Sequence, residues 1–302
     1  MNASNTSPGW ELLVDVRQLA DALGRGDLGI VDARAQPSAG LRIVDARFSL
    51  ADPQSGALAY AQGHLPGAVH ADLNRDLSDL SRPGLGRHPL PHDEAFAQRL
   101  GQWGIGPQTQ VVVHDAGDGS MAAARLWWLL KLLGHARVAV LDGGLAAWQA
   151  AGLPLVAEVP APVPLPPYPA SFDQDRIVAA GEVLQRLSQP PGWLLDARAG
   201  ERFRGEVEPL DPVAGHVPGA VNRPLALNLR DGRFRPPAEL RAELAPLLGP
   251  HAPSEVVVMC GSGVTACHLL LALELAGLPG ARVYAGSWSG WVGDSSRPVA
   301  TG

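Results

Sequence analysis

The chain carries one series of motifs twice, and a sequence that repeats itself at domain length is committed to two copies of one fold. IVDAR (43–47) is followed by GHLPGAV (63–69), VVVHD (111–115) and RVAVLDGGLAAW (137–148). The same order returns as LLDAR (194–198), GHVPGAV (215–221), VVVMC (256–260) and RVYAGSWSGW (282–291). Asp45 precedes His64 by 19 residues and Asp196 precedes His216 by 20. That spacing selects the VDAR at 44–47, rather than the copy at 31–34, as the partner of the later motif; the copy at 31–34 has no assigned role. A length of 302 residues leaves room for two separate cores.

Short β-branched runs such as Val111–Val113 and Val256–Val258 alternate with helix-length segments such as 122–133 and 266–276. This is the pattern of α/β domains built on a parallel sheet. The expected architecture is two tandem domains, each a parallel sheet flanked by helices, over 9–153 and 173–302. Between them, at 154–172, Pro154, Pro160, Pro162, Pro164, Pro166, Pro167 and Pro169 can neither continue a helix nor sit inside a sheet, so the segment is a stiff linker. Hydrophobic residues at 46% and charged residues at 18% fit a globular chain. A net charge of −6 with scattered basic residues argues against nucleic acid as a partner. The first residues lack a basic-then-apolar leader and no apolar run approaches roughly 18 residues, so the expected location is the cytoplasm, with no membrane association.

Ligands of such sheets bind beyond the carboxyl ends of the strands, which is where Asp115 and Cys260 stand in their respective copies. What the copies share is architecture, and what differs at this position is where chemistry is expected. Cys260 and Cys267 are too few for a disulfide framework, and with only His268 beside them they lack the ligand pairs of a zinc site. No metal is expected. Cys260-Gly261-Ser262-Gly263-Val264-Thr265 lies between a strand and a helix, where its glycines let successive N–H groups turn inward. Those N–H groups and the positive end of the following helix favour a thiolate. Cys267, among Ala266, Leu269 and Leu270, reads as packing. A cysteine phosphatase would need an Arg to close this loop on phosphate, and Ala266 stands there instead, which leaves phosphatase a distant alternative.

The double unit, the DAR and GH-x-PGA-V elements and the Cys-Gly-Ser-Gly-Val-Thr loop resemble the two-domain rhodanese sulfurtransferases over nearly the whole chain, from about Leu12 to Thr301. The resemblance implies that Cys260 takes a sulfane sulfur as a persulfide and passes it on, while the first domain, with Asp115, is inactive. It implies no cofactor. Neutral Gly261 and Ser262 are similar to the loop of members that use 3-mercaptopyruvate, and Arg202 matches the family's substrate-binding arginine, a planar fork suited to a carboxylate. Arg204 is a candidate helper. Arg198 has the counterpart Arg47 in the first copy and reads as structural. The chain departs from its relatives at Leu210, where a second arginine is frequent, and at Asn74, where an acid accompanies the family's histidine.

His88, in a segment without a counterpart in the second copy, is the remaining candidate. His64 and His216 occur in both copies and are read as structural turn residues, and Trp148 and Trp291 as core. The expected partners are a small sulfur donor, 3-mercaptopyruvate or thiosulfate, and a thiol, thioredoxin or cyanide acceptor. The alternatives kept beside the mercaptopyruvate enzyme are a thiosulfate:cyanide sulfurtransferase and a persulfide-carrying module with little turnover.

Overall fold

The computed structural model describes residues 9–24, 40–117 and 122–302; the VDAR copy at 31–34 lies outside them. The chain forms two compact units. One comprises the residues up to Leu77 together with His92–Phe172, the other Ser78–Pro91 together with Asp173–Gly302.

In the first unit, β1 (Leu13–Val14), β2 (Leu41–Asp45), β3 (Ala68–His70), β4 (Gln110–His114) and β5 (Val138–Leu141) form a sheet in the order β1-β5-β4-β2-β3. Every neighbouring pair is parallel. Around it run α1 (Val16–Gly24), α2 (Ser55–Gln62), α3 (Asp93–Gln102), α4 (Ala122–Leu132) and α5 (Gly144–Ala150). In the second unit, β6 (Ile177–Val178), β7 (Leu194–Asp196), β8 (Val221–Asn222), a small antiparallel pair β9 (Leu229–Arg230) and β10 (Arg233–Phe234), then β11 (Val257–Met259) and β12 (Arg282–Tyr284) follow. Its parallel sheet has the order β6-β12-β11-β7-β8, the same topology as the first. The helices here are α6 (Ala180–Gln185), α7 (Gly200–Phe203), α8 (Pro237–Leu244), α9 (Ala266–Leu275) and α10 (Ser287–Trp291).

The Val-rich runs become the central strands because only a strand covered on both faces tolerates unbroken apolar sequence. All five residues of β4 and all three of β11 are buried. Trp148, packed with Leu41 and Ile43, anchors one core, and Trp193, Trp288 and Trp291 anchor the other. Trp148 and Trp291 are fully buried, and their indole N–H groups donate to Pro154 O and Pro298 O at 2.9 Å each.

Each repeated motif has one structural job, performed twice. Arg47 grips the Asp45 carboxylate at the end of β2 and also donates to Gly63 O at 2.7 Å. Arg198 grips Asp196 at the end of β7 and donates to Gly215 O at 2.8 Å. The strand end is thereby fixed to the Gly-His turn. His64 stacks on Tyr60 with its Nδ1 donating to Tyr60 O, and His216 stacks on Phe203 with its Nδ1 donating to Phe203 O, at 2.8 Å in both cases. The backbone of His64 exchanges two hydrogen bonds with Val156, and that of His216 does the same with Ala300. Both imidazoles thus hold turns.

Burial alone would raise the Asp45 carboxyl, but charge on His114 and, next, the bonds from Arg47 hold it below the usual carboxylate value. His114 is itself pushed down by burial and is neutral near pH 7, so there the guanidinium carries the effect. A carboxyl depressed in the folded state contributes stability at pH values above its ordinary pKa and loses it as pH falls through the depressed one. Arg47→Met should cost about 3–5 kcal/mol at neutral pH by stranding a buried carboxylate. In urea unfolding as a function of pH, the variant should also lack part of the acid loss seen in the native chain; superimposable pH profiles would refute the assignment.

Candidate active site

Register alone equates Asp115 with Cys260. Asp45 pairs with His114 across β2 and β4, and Asp196 with Met259 across β7 and β11, so the next residue is Asp115 in one unit and Cys260 in the other. The surrounding bonds agree. Asp115 O and Ala116 O accept from Leu145 and Ala146 N–H, just as Cys260 O and Gly261 O accept from Trp288 and Ser289 N–H. Gly144 and Ser287 correspond in the same way, both left-handed, with φ of +56° and +51°. A serine there is strained by roughly 1–3 kcal/mol, where glycine is not. What the serine supplies is an acceptor: Cys260 N–H donates to Ser287 Oγ at 3.1 Å, and the hydroxyl donates on to Tyr284 O at 2.9 Å.

The loop after Cys260 is arranged around sulfur. Cys260 is only 2% exposed, and Gly263 N–H donates to its Sγ at 3.2 Å. Among the described residues, the N–H groups of Gly261, Ser262, Val264 and Thr265 have no protein acceptor. With the N-terminus of α9 they leave a surplus of positive dipole beside the loop, which favours a bound anion there. Gly263 has φ of +78°, and a Cβ on it would stand 2.3 Å from Ala285 O, so the turn demands glycine. Cys267 is fully buried beneath, its Sγ donating to Gly263 O at 3.3 Å.

In the first unit, the place of the thiol is filled by a built-in anion. Asp115 Oδ2 accepts the Ala123 N–H at the start of α4, at 3.3 Å.

Around Gly261 stands a group of charges. Arg202, on α7, has Nη1 3.5 Å from the point a Gly261 Cβ would occupy, and Arg87 Nη1 is 3.9 Å from it. Glu208 accepts from Arg202 Nη2 at 2.6 Å, and Asp211 receives Arg87 through Oδ1 at 2.5 Å and Arg202 through Oδ2 at 3.4 Å. Burial works to raise the Glu208 carboxyl, yet the hydrogen bond from Arg202 and the N–H groups of Leu210 and Asp211 outweigh it and leave the group below its ordinary value. His88 Nδ1 lies 2.8 Å from Ser262 Oγ, with both side chains buried. Arg204 is not brought to the loop: it is half-exposed and paired with Glu206 at 2.7 Å. Leu210 is likewise exposed.

The sequence reading missed Arg87, Glu208, Asp211 and Ser287. For Arg87 a signal was present, because it belongs to the same unrepeated segment that singled out His88. For Ser287 it was the replacement of the second glycine of Gly143-Gly144 by serine in Gly286-Ser287.

Two stretches, residues 15–151 and 179–294, match the Rhodanese-like domain. The chain belongs to the rhodanese family. It is 51% identical over 265 residues, 87% of its own length and 93% of the relative's, to a protein of Pseudomonas aeruginosa named "Probable 3-mercaptopyruvate sulfurtransferase". It is 34% identical over 291 residues, 93% of this chain and 92% of the other, to the thiosulfate sulfurtransferase of Cricetulus griseus. Among solved structures, 3-mercaptopyruvate sulfurtransferase from Leishmania major superposes with a TM-score of 0.77 at 32% identity, covering 94% of this chain and 74% of the other. The chain is a rhodanese sulfurtransferase, with two tandem α/β domains as its sequence repeat requires. Among the described residues, no helix is long and apolar enough to cross a membrane.

Because the rhodanese loop depends on glycine at 263, Gly263→Ala should destabilise the second unit by about 2 kcal/mol or more, through strain at positive φ and the clash with Ala285 O. Denaturant unfolding reads this directly, and an unmoved midpoint would contradict the turn geometry.

Proposed function

We propose that this sulfurtransferase takes its sulfur from 3-mercaptopyruvate onto Cys260 and hands it to a thiol, thioredoxin or cyanide. One observation carries the reading: the Cys260 sulfur sits among N–H donors, one bonded to it and four without a protein acceptor among the described residues, where the first unit has a carboxylate already installed.

The steps balance without an external oxidant. The Cys260 thiolate attacks the donor sulfur, an S–S bond forms, and the C–S bond breaks with its electron pair going to carbon. The resulting enolate takes a proton and leaves as pyruvate. The acceptor thiolate then attacks the outer sulfur, and Cys260 departs as thiolate, stabilised by the same N–H groups. Gly261, Ser262, Gly263, Val264 and Thr265 bring backbone donors without side-chain charge, so Arg202 holds the donor carboxylate. Ser262, two residues beyond Cys260 in the loop and bonded to His88, is the route for the proton the enolate needs. Arg204 has no part in this scheme. Neither Cys260 nor Cys267 is held in a disulfide, which suits a reducing compartment and supports the proposed cytoplasmic location.

A second reading has an observation of its own. Two guanidinium groups close to Gly261 supply the charge that the dianion thiosulfate requires. Steady-state comparison of the two donors with one acceptor decides between them, the mercaptopyruvate reading requiring the higher kcat/KM for mercaptopyruvate.

Incubation with donor should add one sulfur atom to Cys260, located by intact mass and peptide mapping. Cys260→Ser should abolish transfer, and sulfur on Cys267 would overturn the assignment. Arg202→Ala removes a charge-assisted pair of about 1.5–3 kcal/mol, so kcat/KM for mercaptopyruvate should fall at least tenfold.

A further inference from the structure

We propose that His114 makes the first unit acid-responsive: on taking up a proton it competes with Arg47 for the Asp45 carboxylate and loosens the segment that this pair holds, residues 63–71. The device lies in the unit without a thiol, so it stands whichever sulfur donor the second unit uses.

Strand register sets three ionisable side chains in a row. Asp45 on β2 pairs with His70 on β3 and with His114 on β4, and residues in register on adjacent strands point to the same face. His114 is fully buried, with Nδ1 3.3 Å from Asp115 O and Nε2 3.8 Å from Asp45 Oδ2. A carbonyl only accepts, so Nδ1 carries the hydrogen of the neutral ring and Nε2 turns a lone pair towards the carboxylate. Nε2 makes no hydrogen bond to the described residues. Only a second proton makes that contact attractive, and closing it requires the carboxylate to move. Asp45 Oδ2 is already engaged, by Arg47 Nη2 at 2.6 Å and Nε at 2.9 Å, and the same Nη2 donates to Gly63 O at 2.7 Å. Asp45 O accepts from Ala71 N–H at 2.9 Å. The carboxylate that a charged His114 draws is therefore the one on which both ends of 63–71 depend.

The surroundings make the proton costly in the closed arrangement. Burial first, then the charges of Arg47 and His64, outweigh the pull of Asp45 and the Asp115 carbonyl and hold His114 below the ordinary histidine value. Tyr60, whose hydroxyl donates to Ala68 O at 2.7 Å, is pushed up to about 12 by burial and by Asp45 and stays neutral. His70 flanks the carboxylate from β3, its Nε2 buried without a hydrogen bond to the described residues. A histidine lowered in the folded state leaves stability intact above its ordinary pKa of about 6.5 and removes it as pH falls towards the lowered one. Acid thus shifts the population towards an arrangement in which the ring is released from burial. The second unit has no such device: Asn222 on β8 and Met259 on β11 flank Asp196, and neither ionises.

Hydrogen exchange on the full chain tests this, read as protection factors so that the intrinsic pH dependence of exchange divides out. Between pH 7.5 and 5.5 the amides of 63–71 in the native chain should lose about tenfold in protection, while those of the equivalent segment 215–223 change less than threefold. His114→Met, which installs the residue of the second unit, and His114→Gln, which keeps a donor for Asp115 O without a titrating ring, should both reduce the loss at 63–71 to less than threefold. An equal loss in the native chain and the variants overturns the proposal, as does a native segment 63–71 no more sensitive than 215–223. Should neither variant fold at pH 7.5, the comparison of the two segments within the native chain decides by itself.

Discussion

A line of alternating charges runs from the floor of the second sheet to the edge of the Cys260 loop, and the site depends on it. Asp196, fully buried at the end of β7, holds Arg198; Arg198 reaches Glu208 at 3.4 Å; Glu208 holds Arg202; and Asp211 joins Arg202 to Arg87. Charges this deep are costly unless each faces an opposite one, so removing one link exposes its neighbours to the full desolvation cost. The first unit has the inner link, Asp45 with Arg47, and the two inner pairs do the same structural work. The extension through Glu208 uses residues whose counterparts the first copy lacks. An architectural ion pair has in this way become the root of a line of charges that ends beside Gly261.

The two units also show how one scaffold treats an anion differently. At the end of β4 the carboxylate of Asp115 caps the start of α4 and satisfies one of its donors from within. At the end of β11 a thiol takes that position, the loop donors have no protein acceptor among the described residues, and Ser287 accepts backbone strain where the first unit has Gly144. Strain of roughly 1–3 kcal/mol is comparable with the cost of leaving the buried Cys260 N–H without an acceptor, so the serine comes near to breaking even while fixing the backbone of Cys260.

The two parallel sheets were legible because the repeat marks their strands: IVDAR and LLDAR, VVVHD and VVVMC fall on β2 and β7, β4 and β11. The equivalence of Asp115 and Cys260 was legible for the same reason, since both directly follow the repeated Val-rich strand. The short pair β9–β10 has no copy in the first half and no strong alternation, and it was not anticipated. Arg87 and Asp211 stayed hidden because they are 124 positions apart and meet only in the folded chain. Arg204 misled in the opposite way: it is near Arg202 in sequence, but a neighbouring glutamate draws it to the surface. Local pattern reports which face a residue occupies, whereas the partner of a long, flexible cation is decided by whatever carboxylate the fold delivers to it.

The division of the chain into compact units does not follow the division of its sequence into copies. Ser78–Pro91 lies in the first half, between the Gly-His turn and the Val-rich strand of the first copy, yet its contacts place it with Asp173–Gly302. A piece cut at the proline-rich stretch would therefore inherit the whole second repeat and still lack Arg87 and His88. The duplicated stretch of sequence is smaller than the physical module it encodes. One copy has lent a strap to the other, so the module that contains the thiol is encoded in both halves of the sequence.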